Sequence, residues 1–307
     1  MGAIFVTTLE QLFSLFLFIF IGFALRRGKI LDKEASQSIS KVLVWVFMPM
    51  LTFRTFAINF TVENISQNIT LFASGVVVAT ICTTIAIYLG RKFGTDANTK
   101  AIYQYSFAIP NVGYMGYPMM EGVFGEAMLC NMMTFVIPIN VIIYSWGAAV
   151  LTGDGKIRPK QILNAPMISM VLGILVGLLG IKLPDFVLNA FKLGADCMAP
   201  SAMLIAGIVF GGADLKSVFN KSKTYVASFI RLVAFPVVFG LIMILLKCNK
   251  TMIICAVVSL AMPFGLNAVV FPEAAGKDSS EGASSCIVSN LMGVITIPIL
   301  MSLLTLI

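Results

Sequence analysis

Long hydrophobic stretches alternate with short polar segments along the 307 residues of the chain. Ten of these stretches reach the length of about 20 predominantly apolar residues that an α-helix needs to cross a bilayer. The pattern therefore predicts an all-α membrane protein with ten transmembrane helices. The predicted spans are residues 3–26, 36–56, 67–91, 99–121, 127–151, 162–181, 186–211, 223–246, 251–274 and 281–306.

Prolines recur at corresponding places in the two halves of this pattern. The pairs are Pro49 with Pro200, Pro110 with Pro263, Pro118 with Pro272, and Pro138 with Pro298. Each half contains five predicted spans, and because five is odd, the second half must cross the membrane in the opposite sense. The sequence thus predicts two inverted five-helix repeats, residues 1–151 and 162–307, joined by a cytoplasmic connector at 152–161.

Lysines and arginines concentrate in the loops after the first, third, fifth, seventh and ninth predicted spans, and the alternate loops hold few. Positively charged loops stay on the cytoplasmic side of a membrane. We therefore expect a multi-pass protein of the cell (plasma) membrane with both termini outside. Residues 3–25 are predicted to be a spanning helix and not a signal peptide, because no basic residue precedes them and Arg26 and Arg27 follow.

The amino-acid composition argues against several classes of function. Hydrophobic residues make up 59% of the chain and charged residues 11%, a balance typical of an integral membrane protein. The absence of histidine excludes Ser-His and Cys-His nucleophilic pairs and histidine-ligated metals, and the six cysteines show no C-x-x-C spacing. We therefore expect no enzyme, no cofactor and no metal site. The net charge of +7 lies mostly in the loops and sets orientation, so no nucleic-acid partner is expected.

The fourth and ninth predicted spans share an unusual pattern of proline, glycine and asparagine. They read SFAIPNVGYMGYPMM from Ser106 and SLAMPFGLNAVVFPEAAG from Ser259. Proline removes a hydrogen-bond donor and clashes with the preceding turn, so each helix is predicted to break near the middle of the membrane. Because the repeats are inverted, the two breaks are expected to face each other as a crossed pair.

The crossed breaks are the predicted substrate site. Each exposes the N-terminus of a following half-helix, whose free amides and positive dipole end suit a carboxylate, and asparagine amides add further donors. The structural alternative is that these asparagines only cap the broken helices. The predicted substrate-binding residues are Pro110, Asn111, Val112, Gly113 and Tyr114 in the first break, and Pro263, Gly265, Asn267 and Ala268 in the second.

Charged residues within the spans are rare and therefore informative. Asp196, with Ser201 nearby, is a candidate for carrying a proton or holding a coupling cation; the alternative is a local pair with Lys192 four residues earlier. Glu10 and Arg231 lie about two turns inside their spans and are expected to snorkel toward the interface. Attraction of an anion is the alternative role for Arg231.

At the two breaks the chain resembles the auxin efflux carrier family, in its bacterial branch. The matching motifs are PNVGYMGYP at 110–118, MPFGLNAVVFPEAAGKD at 262–278 and SNLMGVITIP from Ser289. The resemblance implies an elevator-type carrier of small organic anions, with the first two helices of each repeat as scaffold and the last three as a mobile transport domain. It also implies that Pro110 and Pro263 are the crossing prolines and that Asn111 faces the substrate.

The expected function is therefore secondary active transport of a small organic anion, such as a mono- or dicarboxylate. A sodium-coupled symporter or sodium/proton antiporter of the same architecture is the nearest alternative, and a non-transporting membrane receptor is the alternative from another class. Proton coupling, sodium coupling and assembly as a homodimer are all compatible with the sequence. The hydrophobic pattern requires that the protein lie in a lipid bilayer.

Overall fold

The computed structural model describes residues 2–153 and 163–306, and the regular structure in these ranges is helical. Among the described residues, seven helices are long and apolar enough to cross a membrane, which confirms the all-α membrane fold class. Most of the predicted connector, residues 154–161, lies outside the described residues. In chain order the helices are α1 (Gly2–Arg27), α2 (Glu34–Asn59), α3 (Val62–Phe93), α4 (Ala97–Ala108), α5 (Val112–Gly116 continued by Tyr117–Phe124), α6 (Glu126–Thr152), α7 (Ala165–Leu178), α8 (Asp185–Gly211), α9 (Ser222–Leu245), α10 (Lys250–Ala261), α11 (Asn267–Ala274) and α12 (Ser280–Leu303).

Three of the predicted spans are occupied by shorter helices. The span predicted at 162–181 contains α7 alone. The spans predicted at 99–121 and 251–274 each contain two helices, α4 with α5 and α10 with α11, separated by unwound chain. The helices therefore break in the two spans where the sequence predicted a break.

Both breaks have the same local cause. Ile109, directly before Pro110, has φ −118° and ψ 109°, and Met262, directly before Pro263, has φ −71° and ψ 146°. The ring of a proline disfavours the helical conformation of the residue that precedes it, so the chain turns extended at that residue. In each break the first half-helix therefore ends two residues before the proline.

Four loops gather at one end of the molecule, called here the basic end, because with the helix ends that flank them they carry eleven of the 21 lysines and arginines. Asn98 donates its amide to Asp278 O at 2.7 Å, and Arg27 donates to Ala213 O at 2.8 Å. These contacts join loops that are far apart in sequence. The loops are residues 28–32, 94–96, 212–221 and 275–279, and the third contains a short helix at Leu215–Phe219.

The helices pack most extensively in two groups. In the four-helix group, α1 lies against α8 and α2 lies against α7, and these helices approach closely because glycines face the contact. A Cβ atom added to Gly22 or Gly207 would overlap the backbone of the facing helix, and one added to Gly173 would crowd Phe53 O. The crossing group contains α3 to α6 and α9 to α12, and it holds both breaks.

Candidate functional site at the crossing of two broken helices

The two breaks lie against each other. The amide of Asn111 donates to Pro263 O at 2.8 Å, and Pro110 pairs with Phe264 as an antiparallel bridge. Two unwound segments from opposite halves of the chain thus satisfy part of each other's backbone. Backbone that leaves a helix inside a membrane protein needs such partners, because an unpaired polar group in hydrocarbon costs several kcal/mol.

Helix α12 supports the second unwound segment. The amide of Phe264 donates to Ser289 Oγ at 3.2 Å, and that hydroxyl in turn donates to Cys286 O at 3.1 Å. The Cys286 thiol lies 3.5 Å from Gly265 O. All these groups are buried, so α12 supplies hydrogen bonds that the broken helix cannot make for itself.

A cavity of about 40 Å³ opens at the crossing. Most of the predicted substrate-binding residues line it. They are Pro110, Asn111, Val112, Gly113 and Tyr114 from the first break, and Gly265 and Asn267 from the second. Pro263 and Ala268 do not line it: Pro263 accepts the Asn111 amide, and Ala268 is buried behind the unwound segment.

The sequence interpretation missed eight further cavity residues. Four of them are aliphatic, and the other four are Met48, Tyr105, Asn140 and Tyr144. A signal existed for two of them. Asn140 is an amide inside an apolar span, and Tyr144 follows it at a spacing of four, which places both on one helix face. Met48 and Tyr105 carry no such signal, since a methionine or tyrosine in a span usually packs against lipid or a neighbouring helix.

None of the residues that line the crossing cavity is charged. Its polar groups are the amides of Asn111, Asn140 and Asn267 and three tyrosine hydroxyls. At the start of α11 the amides of Ala268 and Val269 already donate to Gly265 O and Leu266 O, at 3.0 and 2.9 Å. Both half-helix N-termini still carry the positive end of a helix dipole. The arrangement can bind an anion through neutral donors.

A second cavity continues from the first. It has a volume of about 30 Å³ and shares Met48, Asn140 and Tyr144 with the crossing cavity. It reaches Asn164, which caps the start of α7. Because Gly177, near the other end of α7, packs on Phe60 at the end of α2, the start of α7 points toward the basic end. The other walls of this cavity include Thr52 and Phe56 of α2, Tyr117 of α5 and Met133 of α6, which lie farther from the basic end than the shared residues. The second cavity therefore extends from the crossing away from the basic end.

The charged residues proposed from the sequence lie elsewhere. Lys192 donates to Asp196 at 2.9 Å, and both side chains are 57% exposed, so the local pair considered as an alternative is formed. Neither Asp196 nor Ser201 lines the crossing cavity. The expectation that Arg231 snorkels is wrong, because its side chain is fully buried in the crossing group.

The two ends of the molecule differ in how the four-helix group meets the crossing group. At the end opposite the basic end, Arg54 near the end of α2 pairs with Glu126 at the start of α6, at 2.5 Å. Glu281, at the start of α12, instead pairs with Lys221 at 2.6 Å and accepts from Tyr103 at 2.6 Å, both within or next to the crossing group.

At the basic end a cavity of about 300 Å³ separates the two groups; we call it the vestibule. Its polar residues include Arg26, Asp214, Ser217, Asp278 and Ser284. It occupies the place where, at the opposite end, the Arg54–Glu126 pair closes the corresponding gap. In the ranges 2–153 and 163–306, no group of three or more potential metal ligands is found.

The chain is similar to a family of membrane transport proteins and to transporters of two other organisms. A family model described as a membrane transport protein matches residues 7–158 and 154–301. An uncharacterized transporter of Methanothermobacter thermautotrophicus is 22% identical over 302 residues, which cover 96% of this chain and 98% of that protein. An uncharacterized transporter of Methanocaldococcus jannaschii is 25% identical over 231 residues, which cover 71% of this chain and 73% of that protein.

Proposed function

The chain belongs to the membrane transport protein family, of the auxin efflux carrier type, and from this premise we propose that it is a secondary active transporter of a small organic anion such as a mono- or dicarboxylate. The single observation that carries the proposal is the cavity at the crossing, where two half-helix N-termini and three asparagine amides converge without any charged side chain. Such a site binds a carboxylate through many weak donors and also releases it, as a carrier must.

The architecture in this proposal is ten spans arranged as two inverted repeats. The corresponding positions of the two breaks support it, and so does the gathering of the basic loops at one end. With the basic end in the cytoplasm of a cell membrane, both termini lie outside.

The mechanism in this proposal is an elevator movement of the crossing group against the four-helix group. The difference between the two ends supports it, since an ion pair closes one end while the vestibule separates the groups at the other. Inverted repeats exchange such roles between their two ends during alternating access. The described conformation is then the one that faces the cytoplasm.

The proposal is tested by ligand binding and then by flux. The purified protein is screened by thermal shift against acetate, lactate, malonate, malate and succinate, with acetamide and malonamide as neutral counterparts. We expect at least one carboxylate to raise the melting temperature with increasing concentration, because a ligand that binds the folded state stabilises it. That carboxylate should enter proteoliposomes with saturable kinetics, and imposed proton or sodium gradients identify the coupling ion. A screen in which no carboxylate stabilises the protein would contradict the proposal.

A further inference from the structure

Arg231 is a buried cation that the transport site described above does not use. It lies in the π-helical turn Ile230–Ala234 of α9, and its side chain is 0% exposed. Its Nη1 donates to Phe107 O at 3.2 Å, while Nε and Nη2 have no hydrogen-bond partner among the described residues. No carboxylate in the described ranges forms an ion pair with it. A charge buried without a counter-ion is costly, so its position calls for a function.

The partner of Arg231 explains what the charge does. Phe107 lies in the last turn of α4, where unpaired carbonyls form the negative end of the helix dipole. That negative end points at the crossing and opposes the binding of an anion there. A guanidinium on Phe107 O offsets it, and the positive N-termini of α5 and α11 then dominate the field.

Arg231 is also close to the cavity. Phe107 precedes Pro110 by three residues, which span at most about 11 Å of extended chain, so the guanidinium lies within about 14 Å of the crossing. The Phe107 ring packs edge-on against Phe264 with 5.8 Å between ring centroids, which joins this contact to the second break. A unit charge at that distance in a medium of effective dielectric constant about 20 changes the local concentration of a monovalent anion roughly eightfold.

We infer that Arg231 is the fixed positive charge that makes the crossing select anions, acting as a positioning residue through the end of α4 and not by touching the substrate. The inference rests on the proposed function for the identity of the site. It adds that selectivity for charge originates outside the cavity, on a side chain that the substrate does not contact.

The test measures the electrostatic potential at the crossing and needs no substrate. Gly113 lines the cavity, and a Cβ added there meets only the flexible end of Met48, at 3.0 Å, so Gly113→Cys is a suitable probe. It is placed in a background with Cys197 and Cys248, the cysteines that are not buried, replaced by serine. The rates of modification by an anionic and by a cationic methanethiosulfonate reagent are then compared.

We expect Arg231→Gln to lower the ratio of anionic to cationic modification rates by roughly sixtyfold, because removing the charge slows the anionic reagent and speeds the cationic one by about eightfold each. Arg231→Lys should keep the ratio within about twofold, because it retains the charge. Arg91→Gln, which removes an exposed arginine at the end of α3, is the matched control and should leave the ratio unchanged. An unchanged ratio in Arg231→Gln, or an equal fall in Arg231→Lys, overturns the inference. Neither result depends on transport, so the test is independent of the flux assay.

Discussion

At the scale of the residue, the Tyr105 hydroxyl is a buried donor that the proposed carboxylate site would use. It is fully buried, lies beside the amide of Asn267 and has no hydrogen bond of normal geometry among the described residues. A buried polar group without a partner costs about 1–3 kcal/mol of stability. Under the proposed function, a carboxylate in the cavity would accept a hydrogen bond from this hydroxyl.

Replacing Tyr105 by phenylalanine separates the effect of its hydroxyl on ligand binding from the effect on stability. We expect Tyr105→Phe to weaken carboxylate binding by about tenfold or more, the worth of one hydrogen bond to a charged group, while leaving the melting temperature unchanged or higher. Isothermal titration and thermal unfolding measure the two quantities. Tyr103→Phe is the control, because Tyr103 donates to Glu281 away from the cavity and its loss should lower stability without changing affinity. A Tyr105→Phe protein with unchanged affinity and lower stability would give Tyr105 a structural role only.

Residue types near the prolines were enough to predict half of the cavity. Asn111 and Asn267 stand next to the breaks, and their local sequence identifies them. Tyr105 and Met48 could not be predicted from the sequence, because only the packing of α4 and α2 decides which helix face turns toward the crossing. Asp196 was named for its depth along the span, but the sequence could not show that its face of α8 is exposed.

At the scale of the element, the starts of α6 and α12 occupy corresponding places in the two halves, and both carry a glutamate. Glu126 pairs across to Arg54 of the four-helix group, whereas Glu281 pairs with Lys221 beside its own group. Among the ion pairs of the described residues, the first pair is therefore the one that joins the two groups, and it lies at the end opposite the basic end. In an elevator movement it must break when the other end closes.

Weakening this pair should shift the protein toward the opposite conformation. A partly buried ion pair contributes on the order of 1 kcal/mol, so we expect Arg54→Gln to change the ratio of conformations by about fivefold. A cysteine introduced at Ser217, an exposed vestibule residue, reports this as slower labelling by maleimide, because the vestibule closes in the other state. The Arg54→Glu with Glu126→Arg exchange should restore the original rate. Equal labelling in all variants would contradict a role for the pair in the movement.

The positions of the helices followed closely from the hydrophobic pattern and from proline chemistry. The predicted break in the span 99–121 appears between Ala108 and Val112, and the one in 251–274 between Ala261 and Asn267. The support that α12 gives through Ser289 and Cys286 was not predicted, since the hydrogen-bond partner of an unwound segment depends on which helix packs behind it.

At the scale of the whole molecule, the two groups of helices have different roles in the proposed elevator movement. The four-helix group is held by close glycine contacts, such as Gly22 with Gly207. The crossing group carries both breaks, the buried Arg231 and the lining of the crossing cavity except Met48 of α2, so it holds the site nearly as one unit. Moving that unit would carry a bound anion with its hydrogen bonds intact, so the cost of exposing the anion to lipid is avoided.

The measurement that tests this account most directly is the concentration dependence of carboxylate uptake into proteoliposomes, compared between the unmodified protein and the variants Asn111→Ala and Asn267→Ala. The strongest ligand of the thermal-shift panel serves as substrate. Asn131→Ala is the matched control, because Asn131 lies in α6 away from the crossing cavity. The account predicts saturable uptake, with KM raised about tenfold or more in both crossing variants, from the loss of a hydrogen bond to a charged group, and unchanged in Asn131→Ala. Saturable uptake with the same KM in all four proteins would contradict the crossing as the binding site.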